Sequence, residues 1–134
     1  MRKTQSPHPI PDDVNAISQV VVDAAFRVHS TLGPGLLERV YEVCLAHELR
    51  KRGLSVDLQV ELPAFYDGVR LDTGMRIDLI VAGKLLIELK AVEMVLPVHK
   101  AQLLTYLKLT GHRLGLLINF NVPIIKDGIN RLAL

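Results

Sequence analysis

The sequence predicts a single α/β domain with a mixed central β-sheet flanked by α-helices. Three observations predict it. Apolar residues recur at helical spacing up to Gly53, two-residue alternation takes over from Ser55, and one more helical segment precedes a last apolar strand. A chain of 134 residues can bury one sizeable core and is too short for two.

The elements follow in order. Residues 1 to about 11 contain Pro7, Pro9 and Pro11 and read as a flexible tail, leaving 12–134 as the single domain. Asp12 or Asp13 is expected to cap a first helix, on which Val14, Ile17, Val21, Ala24, Ala25 and Val28 share one face. Gly33-Pro34-Gly35 breaks it and lacks the Lys-Ser/Thr of a phosphate-binding loop. A second helix should carry Leu37, Val40, Tyr41, Cys44, Leu45 and Leu49 on one side and end at Gly53. Arg50, Lys51 and Arg52 in its last turn complement the helix dipole.

Val56, Leu58, Val60 and Leu62 alternate with Asp57, Gln59 and Glu61, the pattern of a half-buried strand. Tyr66-Asp67-Gly68 is a turn, followed by a strand through Val69 and Leu71. A third strand runs from about Met75 to Val81, Gly83 turns the chain, and Lys84 to Ala91 form a fourth. Pro97 opens a third helix that ends at Gly111. Arg113 to Phe120 form an apolar strand, and 122–134 read as a short strand or turn with a final extended piece. Strands joined by tight turns pair antiparallel, and the strand after the third helix joins by a crossover.

Composition narrows the function classes. Hydrophobic residues make up 49% and charged residues 22%, the balance of a folded chain, and Trp is absent. A formal net charge of +2 excludes a histone-like binder, so contact with nucleic acid would need a local patch. Cys44 is the single cysteine and reads as a small core residue, which suits a cytoplasmic protein. No apolar run reaches the length of a membrane span, and the amino terminus has no apolar stretch behind its charges. The five histidines and one cysteine show no zinc spacing. His29 and His99 lie near the segments of interest, His29 at a helix end that suits an imidazolium. Lys100, Lys108, Arg113 and Lys126 read as scattered surface charges, and exposed aromatics for base stacking are not evident, which argues against a sequence-reading single-strand binder.

The chemistry concentrates in Arg76-Ile77-Asp78-Leu79-Ile80-Val81 and Lys84-Leu85-Leu86-Ile87-Glu88-Leu89-Lys90. Side chains alternate along a strand, so Glu88 and Lys90 point one way while Ile87 and Leu89 point the other. A three-residue loop centred on Gly83 puts Asp78 opposite Glu88, and a two-residue turn shifts that by one position. Charges on a central sheet are costly unless paired or metal-bound. Two close carboxylates favour a hard cation, Mg²⁺ or Mn²⁺ over Zn²⁺, and Lys90 beside them could polarise water or offset phosphoryl charge. The plain alternative is a solvated polar face or an ordinary cross-strand ion pair.

Two further segments bear on that choice: Gly35-Leu36-Leu37-Glu38-Arg39-Val40-Tyr41, and Gln102-Leu103-Leu104-Thr105-Tyr106. With Asp78 and Glu88-Leu89-Lys90 between them, the chain from about residue 14 to its end resembles the GxxExxY protein family of the PD-(D/E)XK nuclease superfamily. The resemblance implies a restriction-endonuclease-like core. It further implies that Asp78 and Glu88 bind Mg²⁺ or Mn²⁺, with the Leu89 carbonyl as third ligand and Glu38 completing the site directly or through water. Lys90 would orient the attacking water, Gln102 would orient Lys90 or a phosphate, and Tyr106 would support it. Tyr41 belongs to the same pattern, although its place on the apolar stripe suits a core tyrosine. One departure is visible: Ile77 stands where the superfamily's name implies Pro.

The expected function is a Mg²⁺-dependent nuclease that hydrolyses phosphodiester bonds in nucleic acid, DNA in preference to RNA. It would have no membrane partner, and a homo-oligomer could complete the groove. The alternative is a non-catalytic module that keeps the nuclease fold and binds nucleic acid or protein.

Overall fold

The computed structural model describes residues 8–134; of the expected tail, residues 1–7 lie outside the described residues. Ile10 packs against the core, and the His8 carbonyl accepts a hydrogen bond from Arg113. Helix α1 (Asp12–Leu32) buries Val14, Val21, Ala24, Ala25 and Val28, the stripe read from the sequence. Neither Asp12 nor Asp13 caps it. Pro11 occupies the cap position with no side-chain bond, and both aspartates sit in the first turn, where they complement the dipole. Asp13 also pairs with Lys84 across the fold.

Helix α2 (Glu38–Lys51) packs through Tyr41, Leu45, Ala46 and Leu49. Leu37 and Val40 were expected on that face, but Leu37 precedes the helix at 77% exposure and Val40 is exposed as well. Tyr41, Leu45 and Leu49 recur every four residues, and that narrower stripe is enough to seat the helix.

The strands are β1 (Val56–Glu61), β2 (Ala64–Tyr66), β3 (Val69–Leu71), β4 (Arg76–Val81), β5 (Leu85–Lys90), β6 (Leu114–Asn119) and β7 (Ile129–Ala133). Helix α3 (Pro97–Thr110) connects β5 to β6. Five strands form one sheet in the order β1-β4-β5-β6-β7, and β2 pairs with β3 as a separate ribbon. β2 was not expected as a strand. The β5–β6 pair is parallel, as a helical crossover requires, and the other pairs of the sheet are antiparallel. A short 3₁₀ turn at Ile125–Gly128 leads into β7, the final extended piece.

Helices α1 and α2 cover one face of the sheet over Leu79, Val81, Leu85, Ile87, Leu89, Leu116 and Ile118. Helix α3 covers the other with Leu103, Tyr106 and Leu107 over Leu86 and Leu117. Gly115 lets α3 approach closely, because a Cβ there would lie 3.1 Å from Leu103. Among the described residues, no helix is long and apolar enough to cross a membrane.

One expectation fails in a way that matters for the site. Simple alternation would put Val56, Leu58, Val60 and Leu62 on one face. Instead Val56 packs under α1 and α2, Val60 and Leu62 pack under α3, and Leu58 is 38% exposed. The switch falls at Gln59, whose φ is 50°, in the left-handed region. β4 switches beside it: Leu79 and Val81 face α1 and α2, whereas Ile77 joins the α3 side. Both strands change face in the row that contains Gln59 and Asp78.

Candidate functional site

The β4–β5 register pairs Val81 with Leu85, Ile80 with Leu86 and Leu79 with Ile87, leaving Ala82, Gly83 and Lys84 as the connection. This is the three-residue loop of the two alternatives. Continued one step, it sets Asp78 opposite Glu88. The ladder does not continue there, and the two carboxylates take its place. The Asp78 backbone N–H donates to Glu88 Oε1 at 3.1 Å, and the Leu89 N–H donates to Asp78 Oδ2 at 2.8 Å.

The neighbouring strand explains which backbone groups are available. The Lys90 carbonyl accepts from Phe120 N–H at 2.9 Å, so the Lys90 backbone faces β6. Backbone groups alternate along a strand, so the N–H and carbonyl of Leu89 face β4 and Asp78. A carbonyl and two carboxylates therefore converge where β4 and β5 part.

Electrostatics mark Glu88 as the unusual group. It is 6% exposed, and its carboxyl is pushed from an ordinary 4.5 up to about 8. Burial is the first cause and the negative charge of Asp78 the second. The Asp78 backbone N–H and the Lys90 charge oppose them without prevailing. Lys90 is half-buried and makes no salt bridge among the described residues, so the ordinary ion pair is not what the strands form.

Helix α3 approaches Glu88 from the opposite face. Tyr106 is 3% exposed, and its hydroxyl accepts from Gln102 Nε2 at 2.8 Å. Burial, and then the Glu88 charge, holds the phenol above its usual value. Gln102 itself is exposed, with its side chain turned along the helix toward Tyr106.

On the α2 side, a cavity of about 340 Å³ is lined by Glu38, Arg39, Glu42, Gln59, Asp78 and Leu89. Glu38, the first residue of α2, is exposed at its rim. Tyr41 lies deeper. Its ring stacks on Phe120 at 4.6 Å, and its hydroxyl donates to the Gly33 carbonyl at 2.6 Å while accepting from Leu36 N–H at 3.2 Å. Tyr41 thus holds the Gly33–Leu36 loop that sets where α2 begins.

Three residues escaped the sequence reading. Gln59 Nε2 donates to Glu42 Oε1 at 2.6 Å and to Asp78 Oδ1 at 3.2 Å. Glu42, 7% exposed, is one residue beyond the segment read as a motif. Asn119 is 3% exposed; its side chain bonds both the N–H and the carbonyl of Val92, pinning the chain that leaves Lys90. A polar residue at the end of the apolar Leu114–Asn119 run was the available signal for Asn119.

The histidines lie elsewhere. His29 Nε2 bonds the Val122 carbonyl at 2.7 Å, and His99 Nδ1 accepts from Leu96 N–H at 3.0 Å, closing the start of α3. The expectation that no aromatics are exposed is corrected. Phe65 and Tyr66 are 67% and 75% exposed on the β2–β3 ribbon, and Arg70 stands directly across from Phe65. The ribbon leaves the sheet after Glu61 and returns at Arg76, the end of the sheet that carries Lys90.

Among the described residues, no group of three or more His, Cys, Asp or Glu side chains could hold a metal ion. The oxygens that the fork offers are those of two carboxyl groups and the Leu89 carbonyl. That set suits Mg²⁺, which keeps several of its waters and needs few protein oxygens, better than a closed tetrahedral zinc site. A family profile described as the PD-(D/E)XK nuclease superfamily matches residues 15–132 of the chain. No curated protein and no solved structure matches it.

Proposed function

The chain belongs to the PD-(D/E)XK nuclease superfamily, and from that premise we propose that it is a Mg²⁺-dependent nuclease hydrolysing nucleic-acid phosphodiester bonds, DNA in preference to RNA. The observation that carries the reading is the fork itself. Asp78 and Glu88 replace the backbone ladder between β4 and β5, with Lys90 on the same strand. A fold stabilised only by burial gains little from two carboxyl groups placed there, one of them kept from ionising by burial and by the charge of the other.

Asp78, Glu88 and the Leu89 carbonyl would hold Mg²⁺ or Mn²⁺, and Glu38 would reach it through water from the cavity rim. When bound, the cation would supply positive charge at the scissile phosphate and lower the pKa of a water. To serve as a ligand, Glu88 would release its carboxyl proton to solvent. Lys90, which makes no salt bridge among the described residues, orients the attacking water and offsets charge on the phosphoryl oxygens. Tyr106 holds Gln102 at the α3 side of Glu88, where its amide can meet a phosphate oxygen. Phe65, Tyr66 and Arg70 offer stacking and phosphate contacts beyond Lys90.

The test is incubation of purified protein with DNA and RNA substrates in Mg²⁺ or Mn²⁺. Cleavage should require the cation and be lost in Asp78→Ala and Lys90→Ala. Undiminished cleavage in both variants would show that the site is misassigned. Tight Mn²⁺ binding with no cleavage of any substrate would favour the non-catalytic module.

A further inference from the structure

We propose that Gln59 is a positioning residue of this site: anchored by buried Glu42, its amide fixes the Asp78 carboxylate in the orientation that faces the fork. The inference rests on the metal-site reading above and assigns to it two residues outside the motifs.

Three observations support it. The first is conformational. Gln59 has φ 50° inside an edge strand, a conformation that L side chains seldom adopt and that a glycine would take freely. The same backbone change carries β1 from one face of the sheet to the other, so Gln59 is held there by the packing of Val56 on one side and Val60 on the other.

The second is hydrogen bonding. A glutamine amide has two N–H donors, and here they meet two carboxylate oxygens, Glu42 Oε1 at 2.6 Å and Asp78 Oδ1 at 3.2 Å. The opposite amide orientation would turn a carbonyl toward two carboxylates, so the acceptors dictate which end faces in. The other Asp78 oxygen, Oδ2, is taken by the Leu89 N–H at 2.8 Å. Both oxygens are therefore tethered, from opposite neighbouring strands, and the carboxylate plane cannot rotate without breaking one bond.

The third is Glu42 itself. It is 7% exposed and makes no salt bridge among the described residues; the Gln59 amide is the partner the structure gives it. A buried carboxylate satisfied by a neutral amide contributes poorly to stability. As an anchor that aims the amide at Asp78, it has a use.

The experiment is a calorimetric Mn²⁺ titration paired with thermal unfolding for wild type, Gln59→Gly, Glu42→Gln, Glu42→Ala and the Gln59→Gly/Glu42→Ala double variant. Gln59→Gly relieves the backbone and removes the amide. Because it also leaves buried Glu42 without its partner, the thermal scan serves to show that the variant folds; Mn²⁺ should bind about tenfold more weakly, the usual effect of losing a residue that orients a ligand. Glu42→Gln keeps an acceptor for the Gln59 amide and should bind like wild type, whereas Glu42→Ala should lose as much as Gln59→Gly. The double variant should be no worse than either single one, because the two residues act in series. Should Gln59→Gly fail to fold, Gln59→Asn takes its place; it tolerates a left-handed backbone, but its amide is one carbon short, and the same loss is expected. Wild-type affinity in Gln59→Gly or Gln59→Asn would overturn the proposal. Equal losses in Glu42→Gln and Glu42→Ala would overturn it too, since Glu42 would then act through its charge. No Mn²⁺ binding by the wild type would instead sink the metal-site reading, and this inference with it.

Discussion

Replacing Glu88 with Gln should remove a loss of stability that the fold suffers as pH rises. The folded protein keeps the Glu88 proton up to about pH 8, whereas the unfolded chain loses it near 4.5. Between those values the native state holds one more proton than the unfolded state, so stability from this group is full below pH 4.5 and is lost as pH rises toward 8. The slope is about 1.4 kcal/mol per pH unit for one proton, or roughly 3 kcal/mol between pH 5.5 and 7.5. Gln is neutral at every pH and matches the protonated carboxyl in shape. Its oxygen can accept from the Asp78 N–H, and its amide can donate toward the Asp78 carboxylate. Urea unfolding with EDTA present should therefore show Glu88→Gln gaining about 3 kcal/mol on wild type from pH 5.5 to 7.5. Parallel stability curves for the two proteins would refute the reasoning, because Glu88 would then ionise in the native state as it does in the unfolded one.

Mg²⁺ should compete with the same proton: its apparent affinity should fall about tenfold per unit below pH 8, with one proton released per ion, as read by calorimetry in buffers of different ionisation enthalpy. Lys90→Ala should leave Mn²⁺ affinity within a few-fold of wild type while cutting the single-turnover cleavage rate by about 10²–10³, a split that separates charge offset from metal binding. Phe65→Ala/Tyr66→Ala should weaken binding of single-stranded DNA in EDTA by about 1–3 kcal/mol per base that stacks, with no change in unfolding temperature because both rings are exposed. Leu103→Ala should cost about 2–5 kcal/mol in chemical denaturation, since Leu103 is fully buried against Gly115.

The carboxylate pair was legible because it depends on one short-range quantity. The loop around Gly83 holds three residues, and that count alone brings Asp78 and Glu88 into one row. The elements with strong periodicity, α1 and β4 to β6, were legible for a similar reason: a wrong register would expose a whole apolar face. Gln59 was hidden by the same logic. The string from Val56 to Leu62 alternates perfectly, and nothing local says that the strand changes face at its midpoint. That change is imposed by packing on two different helical layers. Leu37 and Val40 misled because apolar spacing ran on past the residues that α2 buries. The β2–β3 ribbon was half seen, since its turn has a signature but its first strand is three residues long and pairs only with its neighbour. Neither Glu42 nor Asn119 announces itself by spacing; each acquires a partner only when distant elements meet.

The most direct trial of the metal site is anomalous diffraction from crystals soaked in Mn²⁺. A single manganese peak within bonding distance of Asp78, Glu88 and the Leu89 carbonyl is the predicted result, and it should vanish in Asp78→Ala. A peak away from the fork, or none at all at saturating Mn²⁺, would contradict the assignment of Asp78 and Glu88.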